Sequence, residues 1–66
     1  MITRLSRHWD YEPNEALNGM YVWQPFTYVE AKVNGKFLRV GRFKNLGEAD
    51  KFRAIVRKIR EPRYGL

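Results

Sequence analysis

Two runs of alternating residues meet at Asn34-Gly35, and a helix-like stripe follows them. Phe26-Thr27-Tyr28-Val29-Glu30-Ala31-Lys32-Val33 and Lys36-Phe37-Leu38-Arg39-Val40-Gly41-Arg42-Phe43 alternate small or aliphatic residues with polar, charged or aromatic ones. That is the pattern of a half-buried strand. Asn-Gly suits a type I′ hairpin turn, in which both central residues need positive φ. The alternation sets Val29, Ala31 and Val33 on one face and Tyr28, Glu30 and Lys32 on the other. On the second strand Leu38 and Val40 join the apolar face, and Phe37 and Arg39 the opposite one. A helix covers one face only, so Tyr28, Glu30, Lys32, Phe37 and Arg39 are expected in solvent.

The helix signal begins at Asn45, an N-cap type, with Glu48 three positions on in a capping-box arrangement. Glu48 and Asp50 precede Arg57, Lys58 and Arg60, the order the helix dipole favours. Ala49, Phe52, Val56 and Ile59 recur at spacings of three and four, with Ile55 beside them, which predicts one apolar face. Pro62 sets the expected end after Glu61. Phe43 is expected to pack beneath the helix start.

Upstream, Met20-Tyr21-Val22-Trp23-Gln24 reads as a short strand stopped by Pro25, which has no N–H for a ladder. Pro13 to Leu17 suits one helical turn, with Asn18-Gly19 as its stop. Residues 1–12 show no sustained period, so 1–19 is expected as an N-terminal arm and 20–66 as a β-β-β-α domain. The expected fold is α+β: a three-stranded antiparallel sheet packed on one C-terminal helix, the smallest such assembly that is viable. The expected core is Val22 or its neighbour, Val29, Ala31, Val33, Leu38, Val40, Phe43, Leu46, Phe52, Ile55, Val56 and Ile59.

At 66 residues the chain is one domain, and so small a domain buries only ~60% of its unfolded surface. It contains no Cys and a single His, so neither a disulfide nor a thiolate zinc site is expected to staple it. No stretch approaches the ~20 apolar residues of a membrane span, and no signal peptide is visible. A soluble protein of the cytoplasm is expected, with no membrane partner.

The formal charge is +6, and its distribution sharpens the picture. Residues 1–19 carry two cations against three carboxylates, residues 20–46 five against one, and residues 47–66 six against three. The excess lies on the hairpin and helix. A basic folded surface points to phosphate backbones first, then to acidic proteins. No enzyme is expected. Ser6 stands next to Arg7 and His8 with no third group to hold a base. Gly41 and Gly47 are isolated and lack the Lys-Ser or Lys-Thr of a phosphate loop. No cofactor, metal or small-molecule substrate is implied.

The remaining chemistry suits nucleic acid. A sheet can enter the major groove with side chains on base edges. Arg39 can pair with guanine, and Glu30 can accept from cytosine N4. Lys32, Lys36, Arg42 and Lys44 can hold phosphates, which position a protein without specifying sequence. Tyr28 and Phe37 can meet thymine methyls, stack on unpaired bases, or pair across strands.

Residues 28–56 resemble the ethylene-response-factor (Apetala-type) DNA-binding domain, which also occurs in phage homing endonucleases. Tyr28-Val29-Glu30-Ala31-Lys32 is similar to one strand motif of that family, Val40-Gly41-Arg42-Phe43 to the end of the next, and Gly47-Glu48-Ala49-Asp50 to the helix opening. The arm-binding domains of tyrosine-recombinase integrases share the three-strand-plus-helix plan. The resemblance implies that Glu30, Lys32, Phe37 and Arg39 face a DNA groove, and it suggests a phage or mobile-element source. Two features depart from the family. The segment 20–24 carries no Arg, and Arg39 stands where the family has an aromatic. The rival expectation is therefore an adaptor or inhibitor that binds a host protein, anchored by Trp23, Tyr28 and Phe37, since aromatics dominate such interfaces.

Overall fold

A computed structural model describes residues 1–59. The chain forms a three-stranded antiparallel sheet in the order β1-β2-β3, followed by one helix. The strands are β1 (Thr3–Asn14), β2 (Met20–Val33) and β3 (Lys36–Phe43), and the helix is α1 (Leu46–Arg57). The α+β architecture follows the expectation from sequence.

The identity of the third strand does not. Residues 3–14, expected as an arm, form β1 and pair with β2 in twelve consecutive registers from Thr3↔Ala31 to Asn14↔Met20. The expected short strand at 20–24 is the first part of β2, which runs unbroken through Pro25. The register explains how a proline fits there. The N–H of Lys32 donates to the Ile2 carbonyl at 2.8 Å, so the even residues of β1 exchange hydrogen bonds with β2 and the odd residues point their amides away. Pro25 is opposite Trp9 and turns its missing N–H toward the β3 side. There β3 has already ended, at Phe43↔Thr27, so no ladder bond is lost.

The β2–β3 turn is as expected: Asn34 has φ 51° and Gly35 φ 78°. Farther along, the register shifts between Val29↔Gly41 and Glu30↔Arg39, which leaves Val40 as the extra residue of a β-bulge. A bulge moves every later side chain to the other face. Gly41 and Phe43 therefore turn toward α1, and Arg42 joins Arg39 and Phe37 on the opposite face. Gly41 leaves room for the helix: a Cβ there would lie 2.9 Å from Phe52 Cε2 and 2.8 Å from Phe43 Cε2.

Asn45 caps α1, its Oδ1 accepting from the N–H groups of Gly47 (2.7 Å) and Glu48 (3.4 Å). The helix ends at Arg57, earlier than the expected stop at Glu61, which lies outside the described residues. The Met1 ammonium donates to the Arg57 and Ile59 carbonyls (3.0 and 3.1 Å). Ala49 and Val56 are buried against the sheet, and Phe52 stands 5.3 Å from Phe43, ring to ring.

The core is smaller than expected. Val29, Ala31, Ala49 and Val56 fill it on the helix side, whereas Leu38, Val40, Leu46, Ile55 and Ile59 are exposed. One twelve-residue helix cannot shade a sheet whose outer strands extend past its flanks. The molecule measures 50 × 24 × 16 Å. Its long dimension is the β1–β2 ribbon, which continues beyond β3 to a 3-10 turn at Glu15–Leu17.

Candidate nucleic-acid interface

The face of the sheet opposite α1 gathers the five residues singled out by alternation, and the bulge adds Arg42 to them. Glu30↔Arg39, Lys32↔Phe37 and Tyr28↔Arg42 are cross-strand neighbours, and opposed residues share a face. From the other side β1 adds Arg4↔Glu30, Ser6↔Tyr28, His8↔Phe26 and Asp10↔Gln24. Lys36 pairs with Val33 and so belongs to the helix side. Lys44 lies just past β3 and reaches this face through Glu12, with its Nζ 2.6 Å from Glu12 Oε2.

Cations lie over rings throughout. The Arg4 guanidinium sits 3.9 Å from the Phe37 ring centroid, Arg39 sits 4.2 Å from Tyr28 and Arg42 4.4 Å from Phe26, while Lys32 Nζ stands 5.9 Å from Phe37. These stacks bury the rings and leave charged heads outside. Tyr28 is only 5% exposed and Glu30 only 7%. Both were expected in solvent. They are covered because β2 is the middle strand, with long side chains leaning over it from both neighbours.

Glu30 also has a partner that alternation on the hairpin did not suggest. Arg4 Nε donates to its Oε1 at 2.9 Å, and this bond holds the Glu30 carboxyl below its ordinary range against the opposing cost of burial. Arg39, opposite Glu30 in register, stacks on Tyr28 instead. The Tyr28 hydroxyl donates to Asp10 Oδ2 at 2.9 Å, and Arg42 approaches the same oxygen at 3.8 Å. The Asp10 carboxyl is lowered chiefly by the Tyr11 N–H and then by the Tyr28 hydroxyl. Glu12 is lowered chiefly by Lys44. The face is thus a lattice in which carboxylates fix the cations.

The anchors of the protein-partner reading do not come together. Trp23 is opposite Tyr11 on the helix side of the ribbon, across the sheet from Tyr28 and Phe37, and Tyr28 is buried. Trp23 belongs instead to a separate aromatic ledge, stacked at 6.2 Å on Trp9 and 4.8 Å from Tyr11.

Reading from sequence missed Arg4, His8, Asp10 and Glu12 as members of the open face, and Trp9 and Tyr11 as members of the ledge. Their signal is the run Arg4, Ser6, His8, Asp10, Glu12 at every second position, polar throughout, against Leu5, Trp9 and Tyr11 between. Arg7 interrupts the apolar set and hides the period.

No protein-family model matches the chain, and neither curated proteins nor solved structures give a match. Among the described residues no helix is long and apolar enough to cross a membrane.

Proposed function

We propose that this chain is an intracellular, non-enzymatic module that binds duplex DNA through its open sheet face. One observation carries the reading: Arg4, Lys32, Arg39 and Arg42 converge on a single face, each stacked on an aromatic ring, with Lys44 at its end. Ring stacking holds the guanidinium groups in place before any ligand arrives, which lowers the ordering cost of binding. Three strands span two inter-strand spacings, ~10 Å, within the ~12 Å width of a major groove. The resemblance of residues 28–56 to the ethylene-response-factor domain supports the same face.

Roles divide by partner. Among the described residues no carboxylate is bonded to Arg39, which can read guanine by a bidentate contact. Lys32 holds a phosphate. Glu30 and Tyr28 lie beneath and support the cations above them. Lys44 and Arg42 are tied to Glu12 and Asp10, so a phosphate must compete for them.

The test is titration of labelled duplexes of varied sequence at two salt concentrations. Arg39→Ala is expected to cost about 1–3 kcal/mol on a preferred site and to relax sequence preference. Lys32→Ala is expected to weaken all duplexes evenly and to reduce the salt slope by about one. If both variants bind every duplex as the parent does, the open face does not read DNA, and a protein partner at Phe37 and the surrounding cations takes its place.

A further inference from the structure

The β1 edge and the aromatic ledge have no role in DNA binding, and together they fit one occupant. The odd residues of β1 aim their N–H and C=O groups away from β2, as the register requires, so Thr3, Leu5, Arg7, Trp9 and Tyr11 form an edge on which no further strand pairs among the described residues. Proteins ordinarily blunt such an edge with a bulge, a proline or a covering element. Here β3 carries the bulge, while β1 pairs with β2 without a register shift and meets a proline only at Pro13.

The charges along β1 are self-complementary. Arg4 and Arg7 lie in its first half, and Asp10 and Glu12 in its second. A second copy laid antiparallel, centred on His8, sets Arg4 opposite Glu12, Arg7 opposite Trp9 and Leu5 opposite Tyr11. Centring on Arg7 would instead oppose two arginines. Odd residues meet odd residues in the His8-centred register, so their outward amides pair.

The same placement covers two exposed apolar features at once. Beside Leu5, between β1 and the start of α1, lies an open groove of about 360 Å³ lined by Leu5, Leu46, Gly47 and Asp50. Leu46 is 62% exposed. Tyr11 of the second copy arrives opposite Leu5, at the mouth of this groove, with Trp9 and Trp23 next to it. Those three rings are 53–56% exposed in the single chain. The ribbon, residues 8–25, carries three carboxylates and no Lys or Arg, whereas residues 26–59 carry nine cations against three carboxylates. The antiparallel arrangement puts each acidic ribbon beside a basic body.

We propose that two copies of this chain associate through antiparallel β1–β1 pairing about His8, forming a six-stranded sheet in which the aromatic ledge of each copy seats against the Leu5–Leu46 groove of the other. The pairing does not require DNA, although it shares Arg4 and Glu12 with the open face, and the open faces of both copies end on one side of the joint sheet.

The chain contains no Cys, so an introduced thiol is unique. In the proposed register the two residues at position 8 form a non-hydrogen-bonded pair with Cα atoms ~4.5 Å apart, within reach of a disulfide. His8→Cys is expected to form an intermolecular disulfide under mild oxidation much faster than Lys51→Cys, on the exposed side of α1. Sedimentation of the parent should give a dimer. Tyr11→Ala and Leu46→Glu, on different elements, should each raise the dimer dissociation constant roughly tenfold or more while circular dichroism stays native. A parent that remains monomeric up to ~1 mM overturns the proposal. So does equal cross-linking of the two cysteine variants, or a dimer indifferent to both Tyr11→Ala and Leu46→Glu.

Discussion

Glu30 concentrates the electrostatics of the open face in one buried carboxylate. Its bond from Arg4 joins β1 to β2 where the hairpin pattern alone implied a solvent-facing acid. Removing Arg4 takes away that carboxylate's main donor, with Ser6 the lesser one, and an unsatisfied buried group costs ~1–3 kcal/mol. Arg4→Ala is therefore expected to lower stability by about that amount at neutral pH. The pH dependence has a definite sign. The folded-state pKa of Glu30 lies below its ordinary 4.5, so the stabilisation is fully present above that value and is lost as pH falls through the lowered one. Chemical denaturation of parent and variant should converge in acid; a gap that stays constant with pH would assign the loss to packing of the Arg4 stem on Phe37. Gly41 is the other residue with a single geometric role. Gly41→Ala brings a methyl within 3 Å of two ring carbons, and overpacking of this kind costs ~1–3 kcal/mol. A thermal midpoint equal to the parent's would mean that Phe52 can yield.

At the scale of elements, α1 holds the sheet through few residues. Phe52 is only half-buried but bridges Gly41 and Phe43, so Phe52→Ala should cost about 2–4 kcal/mol, at or below the ~3–5 of a fully buried ring. An unchanged midpoint would show that Ala49 and Val56 suffice. Pro25 gives the complementary case. Its N–H position faces no ladder, so Pro25→Val should shift stability by no more than ~0.5 kcal/mol, while Val29→Pro, which removes a bond to β3, should unfold the domain. The hairpin, its turn and the Asn45 cap were legible because each depends on local chemistry: a dipeptide with positive φ, a two-residue period, a side chain accepting from its own helix. The bulge at Val40 was not legible. Strict alternation puts Val40 beside Leu38 and leaves Arg42 on the helix side, and only the fit of Gly41 beneath Phe52 reverses them. β1 stayed hidden because Arg7 falls in its apolar set and because Pro25 reads as a strand end until one knows which way its missing N–H points. Those facts depend on strand neighbours, which a single segment does not specify.

Over the whole molecule, charge is separated along the 50 Å axis, with an acidic ribbon at one end and a basic body at the other. The carboxylates with lowered pKa values, Asp10, Glu12 and Glu30, all reach the open face, where they hold Arg4, Arg42 and Lys44. Lowered folded-state values mean that their contribution exists above the ordinary carboxylate range and disappears as pH falls through them. Acid then acts twice. It removes the groups that neutralise the open face, and it carries the net charge from +6 toward that of all 13 Lys and Arg. Self-repulsion of that size destabilises a compact state, and salt screens it, with a Debye length near 10 Å at 0.1 M and ~3 Å at 1 M. We expect acid unfolding, followed by circular dichroism, to begin below about pH 4.5, where carboxylates protonate, and its midpoint to move to lower pH when salt is added. At neutral pH the same salt should weaken the exposed ion pairs and leave stability level or slightly lower. A midpoint that does not move with salt would mean that the loss of individual bonds, Arg4–Glu30 first among them, governs acid unfolding and that net repulsion does not. A midpoint that moves while Arg4→Ala leaves it in place would assign control to the crowd of cations on the open face.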